Sequence, residues 1–493
     1  MKTKMFTKIM FAVAGSLLAV GNMSAQQTQH QRDSLLTLQR NAISLIDPSE
    51  GKAAGQSGFW GYAFGDYAYM AKGDSAGRGT KQQYKGVGAG GQAAKPNAFE
   101  IRRAYLGYDY TINSHFSAYA LLAYEGDQDV QDDRTVYLKY MYVKWKNIWK
   151  GTDLKIGQQA TNSFASAYNT EPLMGYRSVE KTIMDMHGMD GSSDMGLTLE
   201  GRLATFHAKD TTKVPSFLGY SAMVGDNSGN NPVAGFTAQT AGSGISGATV
   251  TSTSTSTSTS TTSGGATTTT TTKTTTSTAI AVNPLNYTTD VAKKFRGNVY
   301  FNTLNNALTV GLYADFINYG NFYYNNSSKA YQHSVSTQKA YAAYNSKWFG
   351  IGFEYVMQTY TNGEYETFKA GKGTNDTVNS VQTGFSVFAH GTIIPSVLNV
   401  FARYDMYTPD TKYSYNANET FTDLATNVSA SGNGNSYKET FMNFGLDWTP
   451  TKDKKVHIMP NVWYYGIKNG YGSEDLGSDN YMLYRVTFLF AFN

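Results

Sequence analysis

From Phe59 to Phe492 the chain alternates large apolar residues with small or polar ones at a period of two. The last segment is the clearest: Tyr484, Val486, Phe488, Phe490 and Phe492 share one face, and Arg485, Thr487, Leu489 and Ala491 share the other. Leu308, Val310, Leu312, Ala314 and Phe316 alternate with Thr309, Gly311, Tyr313 and Asp315 in the same way. Such alternation is the signature of a strand with one apolar and one polar face. It predicts about sixteen strands, at 59–72, 98–111, 115–125, 136–145, 152–159, 194–202, 218–226 and 293–301, then 307–319, 338–345, 348–360, 381–391, 398–407, 438–448, 456–467 and 481–492.

The connections between these strands alternate in length. Short ones fall at 112–114, 146–151, 302–306, 346–347, 392–397 and 449–455; long ones at 73–97, 126–135, 160–193, 227–292, 320–337, 361–380, 408–437 and 468–480. Only 203–217 is long where a short one is due. Tight turns on one rim and long loops on the other are the construction of an outer-membrane barrel. A soluble sandwich has no reason to keep this phase over so long a stretch. Trp145, Trp149, Trp348 and Trp448 stand at strand ends, where indole rings mark the membrane interface. The expected fold is therefore all-β, an antiparallel up-and-down transmembrane barrel of about sixteen strands. The connection 160–193 is long enough to fold back into the lumen.

Composition agrees with this reading. Among 493 residues there are 49 Gly, 37 Tyr and 26 Phe but no Cys, and the mean hydropathy of −0.40 argues against membrane helices. Absence of Cys excludes disulfides, thiol nucleophiles, cysteine-ligated metals and a lipoprotein anchor. Residues 1–25 carry Lys2, Lys4 and Lys8, an apolar run from Ile9 to Val20, and Met23-Ser24-Ala25, which together read as a secretory signal cleaved after Ala25. Without those three lysines, 38 basic residues face 37 acidic ones, so bulk charge gives no reason to expect a nucleic-acid partner. Residues 26–57 are expected to be a short periplasmic segment, helical or flexible, and 58–493 the barrel. Within the loop 227–292, 24 of residues 251–278 are Ser or Thr, a tract expected to be disordered and extracellular.

No catalytic motif is present, and no cofactor is expected: there is no phosphate-binding loop, no Gly-x-Ser-x-Gly elbow and no His-Glu-x-x-His. His187, within Met184–Asp190, has no second His nearby, and a Met-packed loop is favoured there over a metal site. The acidic run Asp127, Asp129, Asp132 and Asp133 lacks the Gly and closing Glu of a calcium loop. Strand phase turns Arg103, Lys139, Lys155, Arg202, Lys294, Arg296, Arg403 and Arg485 inward, along with Asp109, Glu125, Asp194, Glu200, Asp315, Glu354, Asp405 and Asp447. A charge facing lipid at mid-bilayer costs about 2–4 kcal/mol, so inward is the consistent side. Eight against eight makes a polar, wet lumen without a clear anion excess. The connection 160–193 adds Arg177 and Lys181, opposed by Glu171, Glu180, Asp185 and Asp190, as at a constriction. The candidate pore-lining groups are Arg103, Lys139, Lys155, Arg177, Lys181, Arg202, Arg296, Arg403 and Arg485.

The run Phe99-Glu100-Ile101-Arg102-Arg103-Ala104-Tyr105-Leu106-Gly107, the segment Leu154-Lys155-Ile156-Gly157-Gln158 and the terminal Phe488-Leu489-Phe490-Ala491-Phe492 resemble the phosphate-selective porin O/P family of outer-membrane channels. That resemblance implies a usually trimeric barrel in the outer membrane of a Gram-negative bacterium, in contact with lipopolysaccharide and inserted by the barrel-assembly machinery. It also implies that small polar solutes or anions cross it passively, with phosphate preferred in the best-known members. The expected function is passive diffusion of small polar or charged solutes. The rival is a surface-exposed structural or adhesin-type barrel with a closed lumen.

Overall fold

A computed structural model describes residues 53–72, 97–125, 136–206, 214–227, 292–323, 330–368, 376–411, 437–469 and 478–492. It also describes the short strand segments 87–88, 92–93, 249–258, 271–280, 419–423 and 428–430. The expected signal segment, nearly all of 26–57 and the acidic run 127–133 lie outside these residues.

Sixteen long strands make the wall: β1 (Ser57–Lys72), β2 (Asn97–Thr111), β3 (Phe116–Glu125), β4 (Val136–Trp149), β5 (Thr152–Ala160), β6 (Ser193–Phe206), β7 (Ser216–Gly225) and β8 (Lys294–Thr303). They continue as β9 (Leu308–Tyr323), β10 (Ala330–Asn345), β11 (Phe349–Phe368), β12 (Asp376–Ile394), β13 (Leu398–Thr408), β14 (Tyr437–Trp448), β15 (Val456–Asn469) and β16 (Asp479–Phe492). Each is antiparallel to its neighbours in chain order, and β16 pairs back onto β1 from Gly61↔Phe492 to Tyr69↔Tyr484. The sheet is closed. Among the described residues none of the sixteen wall strands is left as an edge.

The two faces follow the sequence pattern. Leu106, Leu122, Met141, Ile156, Leu197, Phe295, Leu312, Ile351, Phe444 and Val486 point outward and are exposed. Among the described residues no helix is long and apolar enough to cross a membrane; the outward strand faces form the apolar band instead. Trp145, Trp149, Trp348 and Trp448 are all exposed and sit at the short-turn rim, where Phe116 packs 5.4 Å from Trp145. Leu312, 57% exposed and flanked by inward Tyr313, tests the band directly. Leu312→Arg is expected to destabilise the inserted barrel by about 2–4 kcal/mol, read as a lower urea midpoint in lipid than for wild type.

Several strands overrun their expected ends. β10 begins at Ala330, β11 continues to Phe368 and β12 begins at Asp376, where the sequence reading placed loops. These extensions, such as Thr361–Phe368, lie toward the long-loop rim, and without an apolar face against lipid they lose the alternation that marks a strand. Within the Ser/Thr-rich loop, Thr249–Ser258 pairs antiparallel with Thr271–Ile280 as a ribbon separate from the barrel sheet. β-Branched threonine favours extended backbone even where nothing apolar is available to bury.

Two strands carry bulges that matter for the interior. On β2 the pairing steps from Phe64↔Arg103 to Gly65↔Ile101, leaving Arg102 as the extra residue. On β4 it steps from Leu121↔Tyr140 to Leu122↔Leu138, leaving Lys139 extra. A bulge lets two consecutive side chains fall on one side of the sheet. Arg102 and Arg103 are accordingly both buried, as are Lys139 and Tyr140.

Candidate functional site

The connection between β5 and β6 bonds to strands on several sides of the wall. It contains two short helices, α1 (Thr170–Met174) and α2 (Ile183–Met186). Asn169 caps α1 by accepting the Thr170 N–H at 2.7 Å, and Gly175, at φ 77°, ends it in the left-handed conformation that glycine adopts at no steric cost.

Inward-facing groups on strands around the wall hold this segment. Asn162 donates to the Ser221 carbonyl on β7 at 3.0 Å. Lys339 on β10 donates to Asn169 at 2.7 Å and to the Ser163 carbonyl. Gln358 on β11 donates to the Met189 carbonyl at 2.7 Å. The Tyr176 hydroxyl reaches Asp447 on β14 at 3.3 Å, and Arg102 on β2 donates to the carbonyls of Val179, at 3.2 Å, and Ser178. Arg403 on β13 donates to the Lys181 carbonyl. Met186 packs into a buried cluster with Trp463, Tyr465, Tyr481 and Leu483. The His187 ring stacks on Tyr407 at 3.5 Å, which is where the Met-rich stretch settles. Among the described residues no cluster of His, Asp and Glu has metal-site geometry.

The cations are distributed in neutralised groups. At the seam between β1, β2 and β16, Asp66 accepts from Arg102, Arg485 and Thr487, and Arg485 also lies 3.3 Å from Glu100. Arg103 lies 2.9 Å from Glu125, which also pairs with Lys139 and accepts from the Tyr105 hydroxyl. Near the short-turn rim, Lys155 is 2.8 Å from Glu200 and Lys144 is 3.0 Å from Asp153. Arg296 binds Asp190 at 2.8 Å and Asp194 at 2.7 Å, while Lys294 lies 3.0 Å from Asp190 and 3.3 Å from Asp315. Arg403 grips both oxygens of Asp405, at 2.9 and 2.6 Å.

The candidates on the inner segment itself differ from one another. Arg177 sits between Glu171, at 3.2 Å, and Asp185, at 3.0 Å. Burial alone would depress its guanidinium; Asp185 and Glu171 outweigh that and hold it well above its usual value. Burial pushes the Glu171 carboxyl up. Asp190 goes the other way: burial is overcome by Arg296 and Lys294, and its carboxyl is held well below the usual range. Lys181 is half-buried, with its backbone N–H on the Glu180 carboxylate at 2.7 Å. Arg202 is exposed at the short-turn rim, 4.3 Å above the Phe217 ring and away from the inner segment.

Sequence reasoning missed Arg102, Lys144, Lys339 and Asp66. A bulge conceals Arg102, and Lys339 sits where Ala340 and Ala342 leave the outward face unmarked. With these included, ten buried Lys and Arg face twelve buried Asp and Glu among the described residues. The interior therefore carries no net positive charge.

No protein-family model matches the chain, and no curated protein sequence does. Solved structures similar to it include the outer membrane channel DcaP of Acinetobacter baumannii, at TM-score 0.47 and 11% identity over 90% of this chain and 99% of that one. The anion-selective porin from Comamonas acidovorans has a TM-score of 0.46 at 10% identity, over 89% and 100% of the two chains. OprB of Pseudomonas putida has a TM-score of 0.46 at 10% identity, over 89% and 94%. At these identities the likeness is one of architecture.

Proposed function

We propose that the chain is an outer-membrane porin through which small polar solutes diffuse passively, past a constriction made by 160–193. The observation that carries this reading is the division of one closed sheet into an apolar outer face and an inner face of paired charges. Only a lipid exterior makes the first face favourable, and only a wet interior makes the second serve a purpose. Opposed charges side by side give a local transverse field rather than a net potential. Such a field orders polar solutes and discriminates by size, with no strong preference for anions. Phosphate preference, a trimeric assembly and contacts with lipopolysaccharide and the assembly machinery follow from the family resemblance alone. Proteoliposomes carrying the refolded chain should swell in isotonic glycine; liposomes that stay as tight as protein-free ones would contradict the reading.

The charges on the inner segment decide its selectivity. Removing Arg177 and Lys181 leaves Glu171, Glu180, Asp185 and Asp190 on that segment. The Arg177→Ala/Lys181→Ala variant is expected to move the reversal potential in a KCl gradient toward cations. An unchanged potential would remove both residues from the ion path.

A structural barrel with a sealed lumen is the second reading. The packing of Met186 against Trp463, Tyr465 and Tyr481 favours it, because it makes part of the interior apolar and dry.

A further inference from the structure

Among the sixteen wall strands, β10 alone has no Leu, Ile, Val, Met or Phe on its outward face. Its outward positions are Gln332, Ser334, Ser336, Gln338, Ala340 and Ala342, and a large ring returns only with Tyr344 near the short-turn rim. Thr337 and Lys339, on either side of Gln338, are buried on the inner face. The two-residue alternation is therefore intact, and the polar run lies on the outside. Both glutamines are exposed.

The depth of Gln338 is set by its neighbours. It pairs with Ala314 on β9 and with Met357 on β11. On β9, Ala314 stands between Leu312 and Phe316, which are outward and exposed. Gln338 thus lies inside the apolar band that the neighbouring strand presents to lipid. A primary amide carries donors and an acceptor together, and hydrocarbon satisfies neither. Lipid is a poor occupant for this face, and a polar protein surface at the same depth is a good one.

A second copy of this chain supplies that surface. Copies in one membrane are inserted in the same sense, so two of them present the same face to each other about an axis along the membrane normal. Apposing β10 to β10 about that axis brings equal heights together, Gln338 to Gln338 and Ser336 to Ser336. Because an amide both donates and accepts, the two Gln338 side chains can exchange a pair of hydrogen bonds. The short side chains of Ser336, Ala340 and Ala342 let the two walls approach closely, as small residues do at interfaces within membranes. A twofold contact of this kind uses one patch twice. We propose that the outer face of β10 is the surface through which two copies of this chain associate in the membrane, held by their paired Gln338 amides. This surface is independent of whether the lumen conducts.

The chain has no Cys, so a single introduced thiol links only to its own counterpart. Ser336→Cys leaves Gln338 in place; Leu106→Cys puts the thiol on the exposed outward face of β2, across the barrel. Each full-length variant is refolded into phosphatidylcholine vesicles at a low protein-to-lipid ratio, verified as folded by heat-modifiable mobility, and treated with a short bismaleimide cross-linker. The expected result is a strong band at twice the monomer mass for Ser336→Cys and a faint one for Leu106→Cys. Adding Gln338→Leu to the Ser336→Cys chain, a change that suits a lipid-facing position, should weaken association about tenfold. Ser336→Cys that stays monomeric, or that links no better than Leu106→Cys, overturns the interface. A linked fraction indifferent to Gln338→Leu overturns the amide pairing.

Discussion

Asp66→Ala is expected to destabilise the barrel by about 3–5 kcal/mol, the cost of leaving buried cations without their partner. Asp66 is fully buried and is shared by Arg102, Arg485 and Thr487. It sits where the sheet closes, opposite Glu100 on one side and Thr487 on the other. Without it, Arg485 keeps only Glu100, at 3.3 Å, and its place over Trp463, at 3.9 Å. Among the described residues Arg102 keeps the carbonyls of Ser178 and Val179 and its place over the Phe64 ring, at 5.2 Å. Two buried guanidinium groups are then left without their shared carboxylate at the seam where the sheet closes. The refolded variant should show a lower urea midpoint and lose heat-modifiable mobility at a lower temperature than wild type. Asp66→Asn, which keeps an acceptor of the same shape, should lie between the two. An unchanged midpoint for the alanine variant would show that the seam does not depend on this cluster.

Asp190→Ala acts on the inner segment rather than the wall. Its carboxylate is the point where the end of that segment meets β8, through Arg296 and Lys294. Both cations retain another carboxylate, Asp194 and Asp315, so the wall survives. Losing the anchor costs about 2 kcal/mol, which raises the population with the segment displaced by about 30-fold. Single-channel current should become larger and noisier, and a trace identical to wild type would show the segment is held elsewhere. The pH dependence has a definite sign. Because the Asp190 carboxyl is depressed in the folded protein, the anchor is complete above the ordinary aspartate range near about 3.9 and weakens as pH falls below it. Mild acid should therefore leave the wild-type trace unchanged, and strong acid should reproduce the variant's noise.

Much of the wall was legible because lipid on one side and water on the other impose a strict two-residue code. Leu308–Phe316 and Tyr484–Phe492 state it in full. The code fails where its physical cause stops. Thr361–Phe368 extends toward the long-loop rim, beyond the lipid that enforces alternation. Arg102 sits on a bulge, which leaves no mark in a periodicity; Lys139 sits on another, although the sequence reading turned it inward. Lys139 and Lys144 lie on opposite phases of β4, so an unbroken strand would have sent one of them into lipid. The inner segment was legible as a long connection bearing opposed charges, but its partners were not. Arg296 is more than a hundred residues from Asp190, and Asp447 stands still further from Tyr176; no local pattern connects them. Asp66 was overlooked for a related reason. A single carboxylate on a strand gains its meaning only when the barrel brings Arg485 round to it.

The central claim is that the space inside this barrel conducts. Single-channel recording of the refolded wild-type chain in a planar bilayer, across a KCl gradient, tests it most directly. The account predicts stable steps of conductance, grouped in threes if the assembly is trimeric, with a reversal potential showing no strong anion preference. Heat-modifiable, correctly inserted protein that passes no current would contradict it and leave a sealed structural barrel.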